Sequence, residues 1–191
     1  MNNMKNNQLK NLVLSAMFLA IGMVLPFLTG QLQQLGNMLL PMHLPVFLCG
    51  LICSWKYGFA VGLIMPVMRS MLFHAPVMYP RAVAMAFELA VYGLVAGYLY
   101  GKSKYKCTKA LYKSLIAAML SGRAAWGIAQ AVLLGISGKA FTLSAFIAGA
   151  FVNAWPGILL QLIIIPAIMV ALGKAKFVPL IKKRKPNAET S

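Results

Sequence analysis

The sequence predicts an all-α integral membrane protein: a compact bundle of six transmembrane helices with both termini cytoplasmic. Three observations carry that expectation. Hydrophobic residues make up 61% of the 191-residue chain and charged residues 10%, with a mean hydropathy of +0.78, whereas a soluble domain is roughly half apolar and a quarter charged. Apolar runs of membrane length recur along the chain, punctuated by Gly, Pro or Lys. The cations gather at alternate ends of those runs.

The elements follow in order. The first span, residues 9–30, has no charge from Asn11 to Thr29 over the ~20 residues a crossing helix needs. It lacks the short apolar core and small-residue cleavage site of a signal peptide, so it is read as retained. The second span, 44–54, is too short to cross ~30 Å at 1.5 Å per residue, so part of the 36–43 stretch is expected at membrane depth. Spans at 58–74, 80–100, 113–135 and 144–173 complete the bundle. Residues 1–180 form a single domain, and 181–191 a short polar cytoplasmic tail.

Orientation follows from Lys and Arg. With the N-terminus inside, 14 of the 18 cations fall at inner ends, and only Arg69, Arg81, Arg123 and Lys139 do not. The net charge of +16 is thus explained by juxtamembrane lysines facing anionic membrane lipid, and nucleic acid is not an expected partner. The expected location is the cell (plasma) membrane. Cys49 and Cys53 share one helical face, but no His or carboxylate stands beside them on that span, so they read as small apolar packing residues. Cys107 lies among inner lysines as a thiol. No metal or cofactor is expected.

Polar groups at membrane depth are the candidate site. Glu88 lies ~12 Å below the outer end of its span, Asn153 ~14 Å below the start of the sixth, and Arg123 ~18 Å below the outer end of the fifth. Ionised groups there cost ~2.5–3.5 kcal/mol each on insertion scales, so they face a partner or a wet cavity. Arg123, Trp126 and Gln130 recur at spacings of three and four and share a face, and Arg81 and Glu88, seven apart, are expected to do so too. Pro156 opens backbone near Asn153 and Trp155 by removing an amide and crowding the preceding turn. Arg69, Arg81 and Arg123 oppose a single acid, an excess that suits an anionic or carboxylate-bearing ligand. The opposing reading is a Glu88–Arg123 ion pair that only staples helices.

Residues 31–45, QLQQLGNMLLPMHLP, carry three Gln, an Asn, a His and two Pro but no formal charge. Asn37 and His43 are either ligand contacts on an external lid or helix caps in a static re-entrant turn. The same choice arises at the second external loop, where Tyr79 is an interfacial anchor or a ligand neighbour.

These features together resemble the substrate-binding S component of an energy-coupling factor (ECF) transporter. The token that carries the likeness is Ala16-Met17-Phe18-Leu19-Ala20, similar to the Ala-x-x-x-Ala motif by which S components dock on the transmembrane coupling subunit. Small residues four apart are also a generic packing device, and Gly58/Gly62 and Gly93/Gly97 show the same spacing. Segments 36–50 and 144–157 resemble the folate, riboflavin and pantothenate branch. The resemblance implies a high-affinity capture subunit, with Ala16 and Ala20 as the docking residues, for a vitamin or related micronutrient. Its partners would be the coupling subunit and two cytoplasmic ATPases. The chain has no Walker motif, so hydrolysis would come from those partners. The candidate substrate-binding residues are Asn37, His43, Arg81, Glu88, Arg123, Trp126, Gln130, Asn153 and Trp155. The alternative is an autonomous secondary transporter in which Glu88 and His43 relay protons. An enzyme is not expected, since no nucleophile stands beside a base.

Overall fold

The computed structural model describes residues 2–28, 41–103, 106–138, 142–152 and 154–175, which are helical apart from short turns. Helix α1 is Asn2–Leu28, α2 is His43–Cys53 and α3 is Trp55–Phe73. A π-helical turn, Met78–Ala82, leads into α4, Val83–Lys102, and α5 is Thr108–Ile136. The last predicted span is divided. Its first part, α6 (Leu143–Ile147), passes into a second π-helical turn, Ala148–Val152, and α7 starts afresh at Trp155 and runs to Lys174.

Each predicted span therefore coincides with helix. Both α1 and α5 begin earlier than predicted, because an apolar run marks the part of a helix at membrane depth rather than its end. Among the described residues, Asn7–Phe27, Met78–Lys102, Thr108–Ile136 and Trp155–Lys174 are long and apolar enough to cross a membrane. Helix α2, with 11 residues, is about 16 Å long and falls short of that, as its sequence requires. Pro156 does not kink one continuous helix. It occupies the first turn of α7, where its missing N–H removes no internal bond.

Helices α2 and α4 form the centre. α2 packs on α1, α3, α4 and α7, while α4 packs on α2, α3 and α5. Nearly every side chain of α2 is buried, which suits a segment without a charge. The seam joining these helices is made of glycine. A Cβ on Gly58 would lie 2.6 Å from the Gly50 Cα and 2.8 Å from the Gly93 carbonyl oxygen, and one on Gly97 would lie 2.7 Å from the Trp55 Cα. Lipid tails are as apolar as Leu, so helices in a membrane gain mainly from close backbone packing, and only glycine permits this approach. The Gly58/Gly62 and Gly93/Gly97 spacings thus face each other across α3 and α4. Around them Phe47, Met65, Leu89, Tyr92, Leu111, Leu115, Ile165 and Met169 fill the core.

Helix α1 is held from one side only. Its Ser15 hydroxyl donates to the Asn11 carbonyl at 2.6 Å and accepts from the Cys49 thiol at 3.6 Å, and Gly22 lies against Met65. Leu9, Leu12, Val13, Met17, Ile21 and Val24 on its other side are exposed. A single residue, Ser54, separates α2 from α3, at φ 125 and ψ 159, a backbone region that belongs to glycine.

Candidate functional site

Helix α4 carries Glu88 into the protein interior, where it is 2% exposed. Four residues on, and so on the same helical face, Tyr92 donates its hydroxyl to Glu88 Oε1 at 2.8 Å. From α5, Arg123 Nη1 reaches the same oxygen at 2.9 Å. His43, the first residue of α2, brings Nε2 to 3.7 Å from it, and its ring tilts against Tyr92 at 5.3 Å. One turn further, Phe47 stacks on the other part of Tyr92, with centroids 4.9 Å apart. Three helices thus converge on one carboxylate oxygen. His43 can sit there because α2 begins inside the bundle: residues 41–43 are buried.

The ion pair balances its own charge, but the cluster holds more polar capacity than it uses. Among the described residues, Arg123 Nε and Nη2, both ring nitrogens of His43 and Gln161 Nε2 are buried without a hydrogen-bond partner. Gln161 lies on the inward stripe of α7 with Gly157, Ile165 and Met169. A buried polar group without a partner costs a few kcal/mol, so such groups mark places where polar matter is received. The cluster around Glu88 can donate two N–H groups from a fixed guanidinium and donate or accept at an imidazole. That chemistry suits a carboxylate or carbonyl oxygen.

The remaining predicted residues divide. Trp126 is half-buried and stacks near Phe146, with centroids 6.1 Å apart, and its ring edge occupies the space that a side chain on Gly149 would need. Gln130 is also half-buried, and its Oε1 lacks a partner among the described residues. These two flank Arg123 on α5, at the edge of that helix's buried stripe. Trp155 is 58% exposed, in contrast to the buried cluster. Asn37 and Asn153 lie outside the described residues. Ala16 and Ala20 are exposed on the outer side of α1.

Two expectations need correction. Arg81 does not join the buried cluster around Glu88: it is exposed in the turn before α4 while Glu88 is buried. The non-helical residue of the π-helical turn, Tyr79 at φ −118 and ψ 132, precedes Arg81, and the backbone is α-helical from Ala82 onward, so what separates Arg81 from Glu88 is its place at the exposed end of the helix. Arg69 does not oppose Glu88 either. Its Nη1 donates to the Met23 carbonyl of α1 at 2.7 Å, and its guanidinium lies 5.3 and 5.6 Å from the ring centroids of Phe27 and Phe73, which meet edge to face. Cation–π contact and a main-chain acceptor satisfy that charge at the α1–α3 seam. The cationic excess over Glu88 is therefore absent from the described cluster, where Arg123 alone is an arginine.

Sequence reasoning missed Tyr92 and Gln161. The first was signalled by its spacing of four from Glu88. The second was signalled by a lone amide in the apolar run Gly157-Ile158-Leu159-Leu160-Gln161-Leu162-Ile163.

No curated protein and no solved structure matches the chain. A family model does, across residues 10–169, and its description is "ECF transporter, substrate-specific component". That match takes in most of α1 through most of α7, including the exposed alanines and the three residues around the Glu88 carboxylate, and the chain belongs to the family of substrate-specific components of ECF transporters.

Proposed function

We propose that the protein captures a vitamin or related small molecule bearing a carboxylate, and hands it to an ATP-driven importer. The observation that carries this reading is the buried Arg123 guanidinium: one nitrogen is spent on Glu88 and two lack a partner among the described residues. Glu88 fixes the guanidinium in one orientation, so its remaining N–H groups are presented without further loss of side-chain freedom. His43 adds a polar contact, and Trp126 with Gln130 flank the approach along α5. A carboxylate bound here forms charge-assisted hydrogen bonds in a medium of low dielectric, where they are strong.

The coupling subunit docks on the outer side of α1, where Ala16 and Ala20 leave shallow depressions between exposed Leu12, Val13, Met17 and Val24. Two cytoplasmic ATPases supply hydrolysis. One contact favours a second reading, autonomous proton-coupled transport: His43 lies 3.7 Å from Glu88, within reach of a relay. Both readings are tested together by mass spectrometry of small molecules released on denaturing the gently purified protein, followed by uptake into proteoliposomes with and without coupling and ATPase subunits. A stoichiometric carboxylate and ATP-dependent uptake support capture. Uptake by the chain alone, driven by a pH gradient, supports the relay and overturns capture.

A further inference from the structure

At the end of the bundle remote from His43, the break between α2 and α3 opens a groove of about 370 Å³ against the last turn of α4. We propose that this groove binds the phosphate of an anionic phospholipid. Trp55 and the α2–α3 junction form one wall, and Gly97, Gly101 and Tyr100 form the other, with Lys102 and Lys106 at the mouth. Its depth comes from the sequence: a side chain on Gly97 would strike the Trp55 main chain, whereas Gly101 has nothing within 4 Å of where its Cβ would be.

Three kinds of donor meet there. The Trp55 amide, at the groove wall, precedes the first internal bond of α3, which Gly58 N–H makes to the Ser54 carbonyl at 3.1 Å, and no side chain caps it. The Tyr100 side chain is 1% exposed, and its hydroxyl has no partner among the described residues. Lys102 and Lys106 bring full charges. The Lys102 ammonium is 5.6 Å from the Tyr98 ring and that of Lys56 is 5.6 Å from the Trp55 ring, so both are held at the rim. The C-terminal carbonyls of α2 and α4 open at the same end and oppose an anion, but with about half a charge each. Lys102, Lys106 and the N-terminus of α3 outweigh them.

The choice of a lipid over a free anion rests on what lies beside the groove. Trp55, Phe59, Tyr98 and Leu99 are exposed around its edge. Phosphate adjoining exposed aromatic and aliphatic side chains is the arrangement at a membrane interface, where Trp and Tyr gather and each basic residue attracts anionic headgroups. The inference stands apart from the substrate reading, since it uses none of the Glu88 cluster.

The test uses the full chain, stripped of lipid in detergent and offered phosphatidylglycerol or phosphatidylcholine in mixed micelles, with retention read by native mass spectrometry. Expected is one phosphatidylglycerol per chain, retained at least about tenfold better than phosphatidylcholine. Lys102→Gln with Lys106→Gln should remove that preference on the order of tenfold, in line with the usual contribution of a basic residue at a charged surface. Tyr100→Phe should weaken retention with unchanged helical circular dichroism. The lysine variant alters surface side chains, so it keeps the test decisive if Tyr100→Phe does not fold. Equal retention of both lipids, retention of neither, or an unchanged lysine variant overturns the proposal. Displacement of phosphatidylglycerol by millimolar inorganic phosphate, with the same stabilisation, would make the ligand a free anion and overturn the lipid assignment.

Discussion

Arg123→Met isolates the question of whether the buried ion pair binds or only holds. The substitution keeps an unbranched side chain of similar length and removes the donor 2.9 Å from Glu88 Oε1. Glu88, 2% exposed, is left with the Tyr92 hydroxyl at 2.8 Å and His43 at 3.7 Å. Removing one partner of a buried pair costs about 3–5 kcal/mol, because the other charge stays desolvated. The Tyr92 bond is present before and after the substitution and cancels, so the expected loss is about 3–5 kcal/mol. Adding Glu88→Gln neutralises the stranded charge, and the double variant should recover most of that loss. Unfolding in mixed micelles by sodium dodecyl sulfate, followed by tryptophan fluorescence, reads the stability. Titration calorimetry with the ligand identified by mass spectrometry reads the binding. Both variants should fail to bind, because neither presents a guanidinium. A double variant that recovers stability and binding alike would refute the reasoning and leave the pair as a staple between α4 and α5.

Other outcomes follow from particular contacts. Gly58→Ala forces a methyl to 2.6 Å from the Gly50 Cα; main chain cannot yield there as a side chain can, so a loss of about 1–3 kcal/mol is expected, read as a lower thermal midpoint in detergent. Ser54→Gly, at φ 125, should raise the same midpoint, since a position of this kind strains a residue with a Cβ by about 1–3 kcal/mol; an unchanged or lower midpoint would contradict that conformation. Ala16→Leu with Ala20→Leu should leave ligand affinity unchanged while abolishing uptake in the assembled importer, and loss of affinity would count against docking on α1.

The spans were legible because charge and apolar length are properties of composition, and membrane depth tolerates only helix or closed barrel. The Glu88–Arg123 meeting was legible for a related reason: two ionised groups at similar depth have few other ways to be satisfied. What escaped was burial along a helix and satisfaction by uncharged partners. Arg81 was placed by counting seven residues back from Glu88, a count that gives a helical face but not depth in the protein, and it stands exposed at the helix end. Arg69 was treated as a free charge because its partners are a main-chain carbonyl and two rings on α1 and α3, none of which a tally of charges includes. The glycine spacings were read as generic, and only the fold shows that Gly50 joins Gly58 and Gly93 in one three-helix seam.

Helix α2 has a mechanical consequence. Its 11 residues make a rod about 16 Å long, enclosed on most sides, with His43 at the carboxylate end and Ser54 at the other. Hydrogen-bonded helix barely stretches, and Gly50 presents no side chain to interlock with its neighbours. The rod therefore fixes the distance between the Glu88 carboxylate and the start of α3, so the two ends of the bundle are tied through one short, stiff element.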